Sequence, residues 1–202
     1  GFSTFTYMID GYMTHHDSMG NNGELGPGSA QWMKAASGVI HSEMPKQQFG
    51  LMRGFQLWIN LPAVNKMDRP EYMEYTEEMF PVVKFPNYTV KVLVGHFDGI
   101  DAPIIDSVTE VTYLDVQLQP KKDFRYDLPK GNSNFIYVFE GYGTLAGQAV
   151  SHHSLAIPGL SDNGSITFLA GNRGARFIVV SGKPIHEPIV RYGPFVMSTK
   201  EQ

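Results

Sequence analysis

In the run GVIHSEMP, residues 38–45, His41 and Glu43 stand two apart behind the apolar Val39-Ile40 pair and ahead of Pro45. Alternate residues of a strand share a face. The spacing therefore aims imidazole and carboxylate the same way, into a barrel if Val39 also points inward. With no cysteine in the chain, any metal must sit on histidine and carboxylate. Such donors suit Fe(II), Mn(II), Ni(II), Cu(II) or Zn(II), and with open positions they are the usual choice for non-haem iron and dioxygen chemistry. By itself the pair is weak evidence, and the plainer reading is a surface glutamate beside a hydrogen-bonded core histidine. The remaining histidines do not complete a pattern. His152 and His153 are neighbours that should diverge on extended backbone, His96 ends a strand in GHFDG, and His186 sits in KPIHEPI.

The surroundings narrow the class of protein. The chain has 202 residues, 42% hydrophobic and 18% charged, enough for a sizeable core in one large domain or two small ones. Its net charge of -4 and lack of a Lys/Arg run give no electrostatic reason to bind phosphate backbones, so direct nucleic-acid binding is disfavoured. The absence of cysteine excludes a disulfide framework, a thiolate zinc site and a thiol nucleophile, and is compatible with a reducing compartment. No apolar run approaches the roughly 18 residues of a membrane span, and no secretory leader is recognisable. A cytoplasmic protein is expected, or a nuclear one if the source is eukaryotic.

The elements that must position the pair read as strands. Phe2 to Ile9, Val39 to Glu43, Phe55 to Leu61, Thr89 to Phe97, Val108 to Leu118, Phe135 to Phe139, Ser165 to Leu169 and Arg176 to Val180 are rich in aromatic and β-branched residues. Turn sequences punctuate them: Asp10-Gly11, Gly20 to Gly23, Gly26 to Gly28, Asp162 to Gly164. Only Arg69 to Met79, RPEYMEYTEEM, has helical composition. The sequence predicts an all-β sandwich or barrel. FTYMIDGYMTH (Phe5 to His15) aligns with FIYVFEGYGTL (Phe135 to Leu145) at one constant offset, with Asp10 over Glu140, and a Pro-Gly follows each copy at Pro27-Gly28 and Pro158-Gly159. Two similar β-barrels are inferred, joined across a proline-bearing stretch between Pro62 and Pro86. The expected division is 1–64, a crossing at 65–86, and 87–202, with strands exchangeable across the boundary. The second copy has no His-carboxylate pair, so its barrel is expected to be metal-free.

Three segments, GFSTFTYMIDGYMTHHDSMGNNGELGPGSAQWMKAASGVIHSEMP, GFQLWINLPA and SGKPIHEPIVRYGPFVMST, resemble the pirin family of the cupin superfamily, in pieces over nearly the whole chain. The resemblance implies two antiparallel cupin, jelly-roll type barrels packed face to face, the first truncated here, with an Fe(II)-type metal held in the first by three histidines and a glutamate. His41 and Glu43 match one pair of ligands. The other pair belongs to a His-Pro-His-Arg run directly before the Gly-Phe that here is Gly1-Phe2, so these 202 residues are expected to carry an incomplete site. His15 matches a family histidine that is not a ligand; lying on the strand that leaves the turn, it is the candidate for a supporting hydrogen-bond donor. Ser3 stands where relatives often have glutamate.

The function implied by the resemblance is a quercetin 2,3-dioxygenase-type activity, with Glu43 a ligand that also accepts the substrate proton. Trp32, Phe55 and Trp58 are read as core and pocket wall, alternatively as a slot for a flat aromatic substrate such as a flavonol. The second class is a metal- or redox-responsive regulator that binds a transcription factor or a metabolic enzyme. The acidic balance fits a protein partner better than DNA. A monomer is expected.

Overall fold

The computed structural model describes residues 1–46, 49–158 and 164–202. Cα packing divides the chain into two compact units, Gly1–Met79 with Ile185–Gln202, and Phe80–Pro184. The protein is all-β, and its helical content among the described residues is two short 3-10 turns, Ala63–Asn65 and Glu77–Met79.

The first unit holds β1 (Phe2–Asp10), β2 (Met13–Asp17), β3 (Asn22–Leu25), β4 (Ala30–Lys34), β5 (His41–Pro45), β6 (Arg53–Asn60) and β7 (Glu71–Tyr75). They form a four-stranded sheet in the order β6-β1-β4-β7 and a three-stranded sheet in the order β3-β2-β5. Central strand β1 alternates in chemistry. Phe5 and Tyr7 are fully buried on one face, and Thr4, Thr6 and Met8 point to the other. Each buried aromatic contributes on the order of 1.5–3 kcal/mol of hydrophobic stabilisation, whereas the threonine row creates a polar strip that needs hydrogen-bond partners.

In the second unit β8 (Val82–Lys84), β9 (Tyr88–Val94), β12 (Thr112–Leu118), β14 (Ser133–Leu145), β15 (Gln148–Val150) and β17 (Ser165–Gly182) form the order β15-β14-β17-β12-β9-β8; β13 (Asp123–Asp127) pairs with β17 and β16 (Ser154–Ala156) with β14. Strands β10 (His96–Phe97) and β11 (Ile100–Asp101) make a hairpin. Its core is apolar and aromatic, with Phe124, Phe168 and Phe177 among Val90, Val92, Leu114, Ile136 and Val138. The last hairpin, β18 (Val190–Tyr192) with β19 (Phe195–Met197), belongs to the first unit.

The internal repeat is visible in the backbone. Gly11 and Gly141, equivalent in the alignment, take φ of 81° and 71°, the left-handed region that admits glycine without a Cβ clash. At Gly11 the chain leaves β1 for β2; at Gly141 it stays in β14, with register shifts on either side. The chemistry of the copies diverges: the repeat sets Thr6 against Ile136 and His15 against Leu145, and both residues of the second copy lie in the apolar core.

Several expected elements differ from those observed. Arg69 to Met79, of helical composition, keeps only the 3-10 turn at Glu77–Met79: Glu71–Tyr75 is extended and pairs with β4, because an open sheet edge supplies ladder partners that outweigh local propensity. The 62–86 stretch is therefore more than a crossing, since it gives β7 to the first unit and β8 to the second. The expected second barrel, 87–202, gains β8 at its start and gives up Ile185–Gln202 at its end. Strand β12 starts at Thr112 and not at Val108, since the Asp106 carboxylate accepts the amides of Val108 and Thr109 and folds them into a turn. Ser165 to Leu169 and Arg176 to Val180 are one strand, β17, that runs through Gly174 at φ 77°. Of the expected turns, Gly159, Asp162 and Asn163 lie outside the described residues.

Candidate metal centre

The antiparallel register of β2 and β5 places His15 opposite Glu43 and Asp17 opposite His41. Both pairs share a face, because each strand contributes residues two apart. Directly opposed residues bring their Cβ atoms to about 4.5–5.5 Å, so the four side chains form a block. Ligand atoms of His15, His41 and Glu43 all lie within 4.8 Å of one another. The rings of His15 and His41 meet edge to face, centroids 5.5 Å apart. His15 is buried, Glu43 half-buried and His41 exposed, so one side of the block is open.

Opposite stands the polar strip of the four-stranded sheet. Thr6 of β1 pairs in register with Gln31 of β4 and Gln56 of β6, and Gln31 pairs with Glu74 of β7. The next row on this face is Trp58, Thr4, Met33 and Tyr72. Gln31 donates its Nε2 to Glu43 Oε1 at 2.5 Å, and Gln56 donates its Nε2 to Glu43 Oε2 at 2.8 Å. Both amides also donate to Thr6 Oγ1, at 3.4 and 3.2 Å. Each oxygen of the carboxylate thus accepts one amide and keeps a lone pair for another partner.

Asp17 completes the other end of the block. It accepts from His15 Nε2 at 3.1 Å, Asn21 Nδ2 at 2.8 Å, and the amides of Met19 and Asn21 at 2.9 and 3.0 Å. Burial pushes its pKa up, but the hydrogen bonds from Asn21, His15 and the two amides outweigh this and hold the carboxyl at about 2. An ionised Asp17 can only accept, so His15 Nε2 carries a hydrogen and, in the neutral ring, Nδ1 keeps its lone pair. That Nδ1 is buried and has no hydrogen-bond partner. Leaving such an acceptor unmet costs about 1–3 kcal/mol; a water or a metal ion would satisfy it. The carboxylate–histidine pair orients a ring for metal in the same way. Tyr72 covers the His15 ring, centroids 4.4 Å apart and planes at 17°. Burial raises the Tyr72 pKa, as do the hydrogen bond to Glu74 and the negative charges of Glu74, Asp17 and Glu43, so the phenol remains protonated.

Comparison with known proteins agrees with this architecture. Residues 1–59 match the family model described as Pirin, and residues 113–202 the one described as Pirin C-terminal cupin domain. A Pseudomonas aeruginosa protein named "Putative quercetin 2,3-dioxygenase" is 45% identical over the whole of this chain and 73% of its own length. The chain belongs to the pirin family. A pirin-like protein of Caulobacter vibrioides is 39% identical, again over all of this chain and 72% of the relative. Among solved structures, a quercetin 2,3-dioxygenase from Acinetobacter baumannii superposes with a TM-score of 0.91 at 30% identity, covering 100% of this chain and 71% of that one.

Within this pirin-family fold the expected site residues separate. His41 and Glu43 stand together as the spacing required. His15, expected as a supporting donor, stands instead among the candidate ligands, because the β2–β5 register sets it against Glu43. The three aromatics do not share a wall. Trp32 pairs with Phe5 and Phe55 with Tyr7, so both belong to the face away from Glu43, and only Trp58 lies on the face that carries Gln31 and Gln56. Ser3 also lies on the away face, buried between Lys34 and Ile59, so a glutamate at this position would not border Glu43. His152 and His153 do not diverge, for a turn with His153 at φ 59° stacks their rings 3.6 Å apart. Gln31, Gln56, Tyr72 and Asp17 went unread in the sequence. The alternation in FSTFTYM, which puts threonines on one face of a buried strand, was the signal that polar partners must lie across from it.

Proposed function

We propose that this chain is the metal-binding part of a dioxygenase that opens the central ring of a flavonol, the quercetin 2,3-dioxygenase type of reaction. The observation that carries the reading is the block of His15, His41 and Glu43 within 4.8 Å, open on the His41 side and clamped by two amides on the other. An iron(II) ion there would supply Lewis acidity to a coordinated 3-hydroxyl and a common centre for flavonol and dioxygen. Manganese, nickel, copper or zinc fits the same donors. Both atoms of O2 enter the product, two ring carbon–carbon bonds break, and the carbon between them leaves as carbon monoxide.

The protein's own part is positional and protonic. Glu43 receives the proton of the 3-hydroxyl, since its carboxylate is an acceptor held at the site by Gln31 and Gln56. Trp58, on the same face and 43% exposed, adjoins the clamp through its hydrogen bond to Gln56. The name of the 45% identical relative and the solved dioxygenase support this substrate class. The test is consumption of quercetin and O2 with release of carbon monoxide by Fe(II)-loaded protein. His41→Ala is expected to abolish turnover; equal turnover by the variant would sink the assignment.

A further inference from the structure

Trp58 is joined to Glu43 by one intervening side chain. Its indole Nε1 donates to Gln56 Oε1 at 3.1 Å, while Gln56 Nε2 donates to Glu43 Oε2 at 2.8 Å and to Thr6 Oγ1 at 3.2 Å. A primary amide presents either end with nearly the same shape, so only its partners decide which end faces the carboxylate. The indole N–H is a donor and nothing else, so it fixes the Gln56 oxygen toward Trp58 and the NH2 toward Glu43. Turned over, the amide would set its oxygen against the carboxylate oxygen and its NH2 against the indole N–H, losing the bonds to Glu43 and Trp58.

The second arm lacks such a lock. The single Tyr72 hydroxyl hydrogen is shared between Glu74 Oε1 and, at 3.2 Å, Gln31 Oε1. Gln31 is wholly buried, so packing holds it; Gln56 is exposed and depends on its bonds. Trp58 is itself held. Phe2 stacks on it at 4.4 Å and 24°, and the Arg191 guanidinium lies over its ring at 5.3 Å.

We propose that Trp58 is a positioning residue, which locks the Gln56 amide and through it sets the carboxylate of Glu43 toward the metal. The terminal torsion of a glutamate is broad, so a donor on each oxygen is what fixes its plane. The proposal rests on the metal reading given above.

Co(II) serves as the probe, with calorimetry for affinity and visible absorption for ligand geometry. Trp58→Phe and Gln56→Met are each expected to weaken Co(II) binding by roughly 10-fold, the lower end of what outer partners of ligands contribute, and to change the Co(II) spectrum in the same way. The double variant should bind no more weakly than Gln56→Met alone, because Trp58 acts only through Gln56. 1-Methyltryptophan at position 58 keeps the ring and removes only the N–H donor; it carries the same expectation and covers the case in which the smaller ring leaves the chain unfolded, as read by circular dichroism. Trp58 variants with unchanged affinity and spectrum, or a double variant whose loss is the product of the single losses, overturn the proposal while leaving the metal reading intact. Wild-type protein that takes up no Co(II) overturns the metal reading itself, and the proposal with it.

Discussion

His15 and Glu43 stand directly opposite each other across the β2–β5 pair, the same register that sets Asp17 opposite His41. The candidate centre is therefore built by backbone ladders and not by loops. Two residues from each of two adjacent strands converge because strand spacing and side-chain alternation leave them nowhere else to point. The polar face across from them follows the same logic, with one residue from each of β6, β1 and β4 in a row at Gln56, Thr6 and Gln31. A site on strands holds its geometry more tightly than one on loops.

The acid limb of stability should run through Asp17. Its folded-state pKa lies at about 2 against an ordinary value of 3.8. Where a folded pKa is depressed, the unfolded chain binds the extra proton, and stability is lost as pH falls. The contribution of Asp17 is thus complete above about 3.8 and disappears as pH drops toward 2. Urea unfolding of metal-free protein between pH 6 and pH 2 should show this loss. Asp17→Asn should be less stable at neutral pH and flatter across that interval; a variant with the wild-type slope would count against the assignment.

Gly23 lies opposite His15 on β3, where a side chain would collide with the cover of the site. A Cβ added there would come 1.2 Å from Glu74 Oε1 and 2.6 Å from the Tyr72 hydroxyl oxygen. Glu74 is exposed and can swing away, but Tyr72 is stacked on His15 and cannot leave without uncovering it. Gly23→Ala should cost about 1–3 kcal/mol of stability, as overpacking commonly does, and weaken Co(II) binding by roughly 10-fold through the displaced Tyr72. Thermal unfolding and Co(II) titration measure the two effects. Full retention of both would show that Tyr72 does not depend on the bare glycine.

Much of this was legible in the sequence, and the parts that were not share a cause. The all-β class, the two related halves and the His41–Glu43 pair follow from residue type and spacing, which are local properties. The role of His15 depends on which residue of β5 faces it, and neither strand encodes that register alone. Tyr72 was hidden for a second reason. Its strand has the glutamates and methionines of a helix, and only the free edge of β4 makes it extended. Residue type alone groups Trp32 and Phe55 with Trp58, although sequence parity already sets Phe55 apart from Trp58 on β6. Placing Trp32 needs the β1–β4 register.

Lys66 is the most buried cation of the first unit, 1% exposed, and it ties the end of the chain to its start. Its Nζ donates to Gly1 O at 2.9 Å, Asn60 Oδ1 at 2.6 Å and Val196 O at 3.1 Å, joining the residue before β1, the last residue of β6 and the middle of β19. Three acceptors match the three hydrogens of an ammonium. Lys66→Met keeps the length of the side chain but leaves those acceptors without a donor, and should cost about 1–3 kcal/mol. Hydrogen exchange should speed up at the β18–β19 hairpin before it does in the β6-β1-β4-β7 sheet. The pH dependence gives an independent check. Burial lowers the Lys66 pKa, partly opposed by the negative charge of Glu187, from an unfolded value of 10.5. Between the lowered value and 10.5 the unfolded chain holds a proton that the folded one gives up, so stability rises with pH across that interval. Urea unfolding from pH 7 to pH 10.5 should show a slope in wild-type protein that Lys66→Met reduces; an unchanged slope, or hairpin exchange equal to wild type, would remove Lys66 as the tie.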